Sequence, residues 1–174
     1  AQVLMTRFNY LERGRKVLLM KPATDTRDGV TTIRSRIGLE ADAIVIHPGD
    51  EISVYMAKHD ADVIIVDESQ FLNTEQVIQL RDIVSKYNIP VMCYGLRTDF
   101  KGKLFEGSKA LFELADEIQE IPSICDCGGK AIINARFDCN GHIITDGNVV
   151  DLGGNEKYKA VCWSCFQKLQ KGCK

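Results

Sequence analysis

The chain has 174 residues, 45% of them apolar and 26% charged, with a formal net charge of -2. That suffices for one domain with a small appendage and a packed core, and it excludes a disordered chain. The slight acidic balance argues against a nucleic-acid surface. No run approaches the ~18 apolar residues of a membrane span and no signal segment opens the chain, so a soluble cytoplasmic protein is expected, with no nucleic acid and no membrane as partners.

In chain order, Val3, Leu4, Phe8 and Leu11 mark one helical face over residues 1–13, and Gly14 stops it. "KVLLM" (16–20) reads as a short buried strand, "KPATDTRDG" (21–29) as a polar loop, and "TTIRSRIGL" (31–39) as a strand or irregular excursion. Asp50 is placed to cap a helix running through Lys58. "DVIIVDE" (62–68) is the second firm strand. Asn73, with Gln76 three residues on, forms a capping-box pattern, and Val77, Leu80, Val84 and Tyr87 share the face of the helix that follows. Asn88 and Pro90 end it. "IPVMCYG" (89–95) is a third strand, "GSKALFELA" (107–115) a helix and "EIQEI" (117–121) a fourth, alternating strand. Strands and helices in alternation predict an α/β layer with a parallel sheet flanked by helices. Beyond Ile121 the runs "KAIINARF" and "GHIITDG", joined by a turn-like "DCNG" and bracketed by cysteine pairs, indicate a second module. The expected division is 1–121 and 122–174.

The run Val63, Ile64, Ile65, Val66 asks for burial on both sheet faces, and it ends in Asp67 and Glu68. Ligands of open parallel sheets bind beyond the carboxyl ends of their strands. Neighbouring side chains on a strand point opposite ways, so Asp67 would hold Mg²⁺ while Glu68 turns toward a substrate hydroxyl. Phosphoryl transfer needs little beyond positioning, charge neutralisation and a proton acceptor. An acidic pair after a strand can also simply open a solvated turn. "DESQ" resembles, besides, the D-E-x-[HDQ] strand of helicase-type ATPases. No G-x-x-x-x-G-K-[ST] phosphate loop occurs in the chain.

Seven cysteines is an odd number. Cys125 and Cys127 form C-x-C, and Cys162 and Cys165 form C-x-x-C. Two close pairs of thiolates match tetrahedral zinc, and a site filled by four protein ligands is structural. The stretch between the pairs is longer than in an ordinary zinc ribbon, so the metal would clamp the base of a protruding loop. Cys93 reads as core packing, and Cys139 and Cys173 as spare thiols.

Taken together, "YLERGRKVLLMKPATDTR", "SRIGL", "VDESQF", "PVMCYGLRTDFKGKLFEGS", "CDCGGKA" and "LGGNEKYKAVCWSC" run in one order along nearly the whole chain. In this the chain resembles the zinc-containing thymidine kinases of bacteria and animals. The resemblance implies a P-loop-type sheet with a small C-terminal zinc module carrying a lid loop. It implies transfer of phosphate from ATP, with Mg²⁺, to the 5′-hydroxyl of thymidine or deoxyuridine, giving dTMP and ADP in nucleotide salvage. In that family a phosphate loop precedes the helix that begins near Ala1, so it is expected just upstream of residue 1.

By motif match Glu68 would be the general base and Asp67 the acid on the Mg²⁺ side. Ser69, Gln70, Asp25 and Arg27 would border the nucleotide phosphates. Phe71, Leu96, Phe100, Phe105 and Tyr158 would form the pyrimidine pocket. Val150 and Gly154, with Gly153, would belong to the lid loop. The family further suggests a homotetramer and feedback by dTTP. Two alternatives stand beside this reading, a catalytically inactive nucleotide-binding relative and a zinc-ribbon nucleic-acid-dependent ATPase.

Overall fold

A computed structural model describes residues 1–24, 31–35, 37–149 and 157–172 of the chain. Asp25, Arg27, Val150, Gly153, Gly154 and Cys173 lie outside the described residues. The chain falls into two compact units, Ala1–Leu96 with Glu106–Asp116, and Arg97–Phe105 with Glu117–Lys174.

In the first unit, helix α1 (Gln2–Glu12) is closed by Gly14 in the left-handed region. Strand β1 (Val17–Pro22) follows, then an antiparallel ribbon of β2 (Thr32–Arg34) and β3 (Glu40–Asp42). Next come β4 (Ile44–Ile46), α2 (Ile52–Lys58), β5 (Val63–Val66), a 3-10 turn over Ser69–Phe71, α3 (Thr74–Tyr87), β6 (Val91–Cys93) and α4 (Glu106–Leu114). The main sheet has the order β4-β1-β5-β6 with every neighbouring pair parallel.

Strand alternation sorts the core into two halves. Leu18, Met20, Ile64 and Val66 pack with Ile52, Val77, Leu80, Ile83 and Ala110 of α2, α3 and α4. Leu19, Val63 and Ile65 pack with Val3 and Leu4 of α1 and with Ile33 and Ala43. All four residues of β5 are fully buried, each worth about 1.5–3 kcal/mol of transfer free energy. This burial on both faces is why the β-branched run was readable.

Four expectations need correction. The fourth strand of the sheet is Ile44–Ile46, not 117–121, which forms no strand. Ile118 and Ile121 are exposed there, so the alternation has no face to bury. On α1, Val3 and Leu4 are buried but Phe8 and Leu11 are exposed. On α3 the buried stripe continues to Ile83, while Tyr87 is exposed. Asp50 does not cap α2, whose N-cap is Glu51; its carboxylate instead accepts from the His47 N–H (2.7 Å) and the Tyr55 hydroxyl (2.5 Å). The α3 capping box forms as read, with Gln76 N–H donating to the Asn73 side chain (2.8 Å) and Asn73 N–H to the Gln76 side chain (3.2 Å).

The second unit begins its strands with the hairpin β7 (Ser123–Ile124) and β8 (Lys130–Ala131). β9 (Ile133–Phe137), β10 (Ile143–Ile144) and β11 (Lys157–Val161) form an antiparallel sheet in the order β10-β9-β11, and α5 (Trp163–Gln170) follows. The β9–β10 connection is the anticipated "DCNG" turn. The Asp138 carboxylate accepts from the N–H groups of Asn140 and His142 (2.9 and 2.8 Å), and Gly141 takes a positive φ. Cys125, Ala131, Ile133, Ala135, Val161 and Phe166 make the core of this unit.

Candidate functional site

β5 delivers Asp67 and Glu68 at its carboxyl end. Asp67 N–H still donates to Met20 O of β1 (2.9 Å), so the pairing runs one residue past the strand. Glu68 then turns into the left-handed region, at φ 48° and ψ 36°. For a residue with a side chain this costs about 1–3 kcal/mol. The turn is tied down on both sides: Phe71 N–H donates to Glu68 O (3.1 Å) and Ser69 N–H to Tyr94 O (2.9 Å). The direction of the Glu68 side chain is therefore set by a turn, not by strand alternation as the sequence suggested. Glu68 N–H donates to Asp67 Oδ1 (3.0 Å), and Glu68 Oε2 accepts from Gln70 Nε2 (2.6 Å).

The residues after the carboxylates are interior. Ser69 and Gln70 are 1% and 2% exposed. Ser69 Oγ donates to Tyr94 O (2.9 Å), and Gln70 Oε1 accepts from Leu96 N–H (3.0 Å). Leu96 O in turn accepts from Ser108 Oγ (2.7 Å). The Leu96 backbone is thus clamped at both ends while the residue as a whole stays 41% exposed. Phe71 is half-buried at the end of the turn.

Two glycines make this packing feasible, and sequence reading had not singled them out. A Cβ on Gly95 would lie 2.6 Å from Gln70 Oε1 and 2.8 Å from Ser69 Oγ. One on Gly107 would lie 2.6 Å from both Leu72 O and Ser69 O. A glycine closing a strand or opening a helix is a weak signal in one sequence, because the atoms it makes room for are distant in the chain. A separate cleft of about 540 Å³ is lined by Asp50, Glu51, Glu75, Gln79, Asp82 and Lys86. Four of the five charged residues in that lining are acidic, which is unfavourable for a polyphosphate.

In the second unit, residues 97–105 form a tight hairpin. Thr98 bridges Leu104, and Asp99 Oδ1 accepts the N–H groups of Lys101 and Lys103 (both 2.9 Å). Phe100 is only 3% exposed, with the Arg136 guanidinium 5.2 Å and Lys101 Nζ 5.4 Å from its ring centre. Arg136 is itself buried and donates to Asn148 O (2.9 Å). Asp99 and Arg136 were likewise missed. The D-x-x-G pattern of 99–102 was a turn signal for the first, but nothing local marked the second. Phe105 is half-buried and Tyr158 half-exposed.

The ligand atoms of Cys125, Cys127, Cys162 and Cys165 all lie within 4.8 Å of one another. The β7–β8 turn supplies the first pair. Cys162 is the N-cap of α5 and its sulfur accepts Cys165 N–H (3.5 Å), so C-x-x-C spans the first helical turn. Cys127 Sγ and Cys162 Sγ are 3.6 Å apart, far beyond the ~2.05 Å of a disulfide. Zinc–sulfur bonds of about 2.3 Å in a tetrahedron place sulfurs about 3.8 Å apart, and the cluster fits that ion. Backbone N–H groups of Cys127 and Cys162 hold the Cys125 thiol down to about 6, while Cys127, Cys162 and Cys125 push Cys165 up to about 12. Cys93 packs against the core, where burial pushes its thiol up to about 12. Cys139 is exposed.

These features define an α/β protein with acidic residues ending an inner strand of a parallel sheet and a metal-competent four-thiol cluster. The thymidine kinase family model matches residues 1–166. A thymidine kinase of Vibrio cholerae is 49% identical over 164 residues, covering 92% of this chain and 85% of its own length. The thymidine kinase of Enterobacteria phage T4 is 46% identical over 175 aligned positions, covering 98% and 90%. That of Xanthomonas axonopodis pv. citri is 43% identical, covering 98% and 84%. The chain belongs to the thymidine kinase family.

Proposed function

We infer that the protein transfers the γ-phosphate of ATP to the 5′-hydroxyl of thymidine, giving dTMP and ADP. The thymidine 5′-oxygen attacks the γ-phosphorus, the bond to the β–γ bridging oxygen breaks, and ADP leaves with that electron pair. The hydroxyl proton passes to Glu68. The observation that carries this reading is the Asp67–Glu68 pair at the end of β5, with Glu68 held by its turn and by Gln70, in a chain of this family. The family membership favours this kinase over an inactive relative or a nucleic-acid-dependent ATPase.

Asp67 is assigned to the Mg²⁺ of the ATP complex, and Asp25 and Arg27 to the phosphates. Ser69 and Gln70 shape that side of the site from within the core. Base recognition is assigned to Phe71, Leu96, Phe100, Phe105, Val150, Gly154 and Tyr158. Cys125, Cys127, Cys162 and Cys165 would hold zinc, which with four protein ligands supplies no chemistry and fixes the ends of the 128–161 segment. A cytoplasmic homotetramer inhibited by dTTP, with deoxyuridine as a second substrate, completes the proposal. Among the described residues no helix is long and apolar enough to cross a membrane.

Glu68→Gln in the full-length protein tests the assignment. Turnover should fall by the roughly 10²–10⁴-fold typical of a lost general base, with the melting temperature retained. Unchanged kcat would remove Glu68 from the role.

A further inference from the structure

We propose that Gln70 is a positioning residue for the general base, with its side-chain amide spent on holding the Glu68 carboxylate rather than on nucleotide. This rests on the reading of Glu68 as the base. Gln70 Nε2 donates to Glu68 Oε2 at 2.6 Å, and Gln70 Oε1 accepts Leu96 N–H at 3.0 Å. The two contacts settle which way the amide faces. In the flipped orientation an N–H would meet the Leu96 N–H and an oxygen would meet the carboxylate, both repulsive. Leu96 therefore fixes the amide, and the amide fixes the acid.

The surroundings make the arrangement rigid. Gln70 lies in the core, while Glu68, whose carboxylate it grips, is only half-buried as a residue. Gly95 leaves the space in which the amide lies. Leu96 cannot drift, because Ser108 Oγ holds its carbonyl from α4. A left-handed turn orients the Glu68 backbone, and the amide at position 70 adds a fixed donor at the carboxylate itself, where a proton must be accepted. The sequence places Gln70 inside the acidic motif, and motif matching alone assigns it to the phosphates. The geometry gives it work within the protein instead.

Two variants separate this role from core filling. Gln70→Met keeps the volume and removes both polar contacts. Gln70→Glu keeps an acceptor for Leu96 N–H but sets a carboxylate against Glu68, which repels it or shares its proton. Both are made in the full-length protein, alone and together with Glu68→Gln, and kcat, the KM values for thymidine and ATP, and melting are measured. Each single variant should lower kcat by about 10–100-fold, the scale of a misplaced catalytic group, with both KM values near wild type. On the Glu68→Gln background the same changes should add little, because residues acting through one another are not additive. If Gln70→Met fails to fold, Gln70→Glu carries the test.

Wild-type kcat in the Gln70 variants, or an equal loss on both backgrounds, would overturn the proposal and leave Glu68 as base. Full turnover in Glu68→Gln alone would overturn both.

Discussion

Gly107→Ala is a substitution for which helix propensity and packing give opposite signs. Gly107 lies in the first turn of α4, where alanine would ordinarily gain up to about 1 kcal/mol over glycine. The added methyl, however, would sit 2.6 Å from the carbonyl oxygens of Leu72 and Ser69 and 2.9 Å from that of Gln70. All three are backbone atoms of the turn that follows Glu68, and none can rotate away as a side chain would. α4 must retreat or the turn must yield, and overpacking of this kind costs about 1–3 kcal/mol. The net expectation is a loss of about 1–2 kcal/mol, or ~2–8 °C of melting temperature for a chain of this size. Because the displaced turn carries Glu68 and Gln70, kcat should fall as well. Thermal unfolding followed by circular dichroism, with turnover of the same samples, measures both. A variant that melts higher than wild type at full kcat would refute the close approach of α4 to the turn.

Cys162→Ala should abolish stoichiometric zinc and lower the stability of the protein, read by metal analysis and by melting before and after a chelator. Full zinc content in the variant would contradict the ligand set. Tyr55 should resist alkaline titration to about 12, because its hydroxyl donates to the Asp50 carboxylate. A raised folded value means that its contribution to stability is complete below the ordinary phenol value of about 10 and is lost as pH rises through about 12. Asp50→Asn should bring this tyrosine back toward the ordinary range in an absorbance titration of phenolate. Superimposable titration curves would refute the contact.

The parts legible in sequence were those whose physics is local or densely repeated. Val63–Val66 announced a buried strand because all four side chains need burial, and Asn73 with Gln76 announced a cap because both bonds close within one turn. The thiol cluster was readable because each cysteine pair is close in sequence and few other functions use that spacing. Ile44–Ile46 escaped because three residues carry no period, whereas 117–121 imitated a strand without a partner to pair with. The helical face of α1 was overextended to Phe8 and Leu11, since periodicity reports an amphipathic stripe but not how far its neighbour reaches. Within the candidate site the acidic pair was visible and its support was not. The bond from Leu96 to Gln70 spans 26 residues, and Gly107 matters only through carbonyls more than 30 residues earlier. Such dependence arises when the chain closes on itself, so no local pattern carries it.

The most direct test of the whole account is transfer of labelled γ-phosphate from ATP to thymidine by the purified full-length protein, with the product resolved from ADP. The account predicts labelled dTMP, phosphorylated on the 5′-oxygen and formed one for one with ADP, at a rate that depends on thymidine. A folded, zinc-containing protein that releases phosphate to water alone, or turns over no ATP with thymidine present, would contradict it.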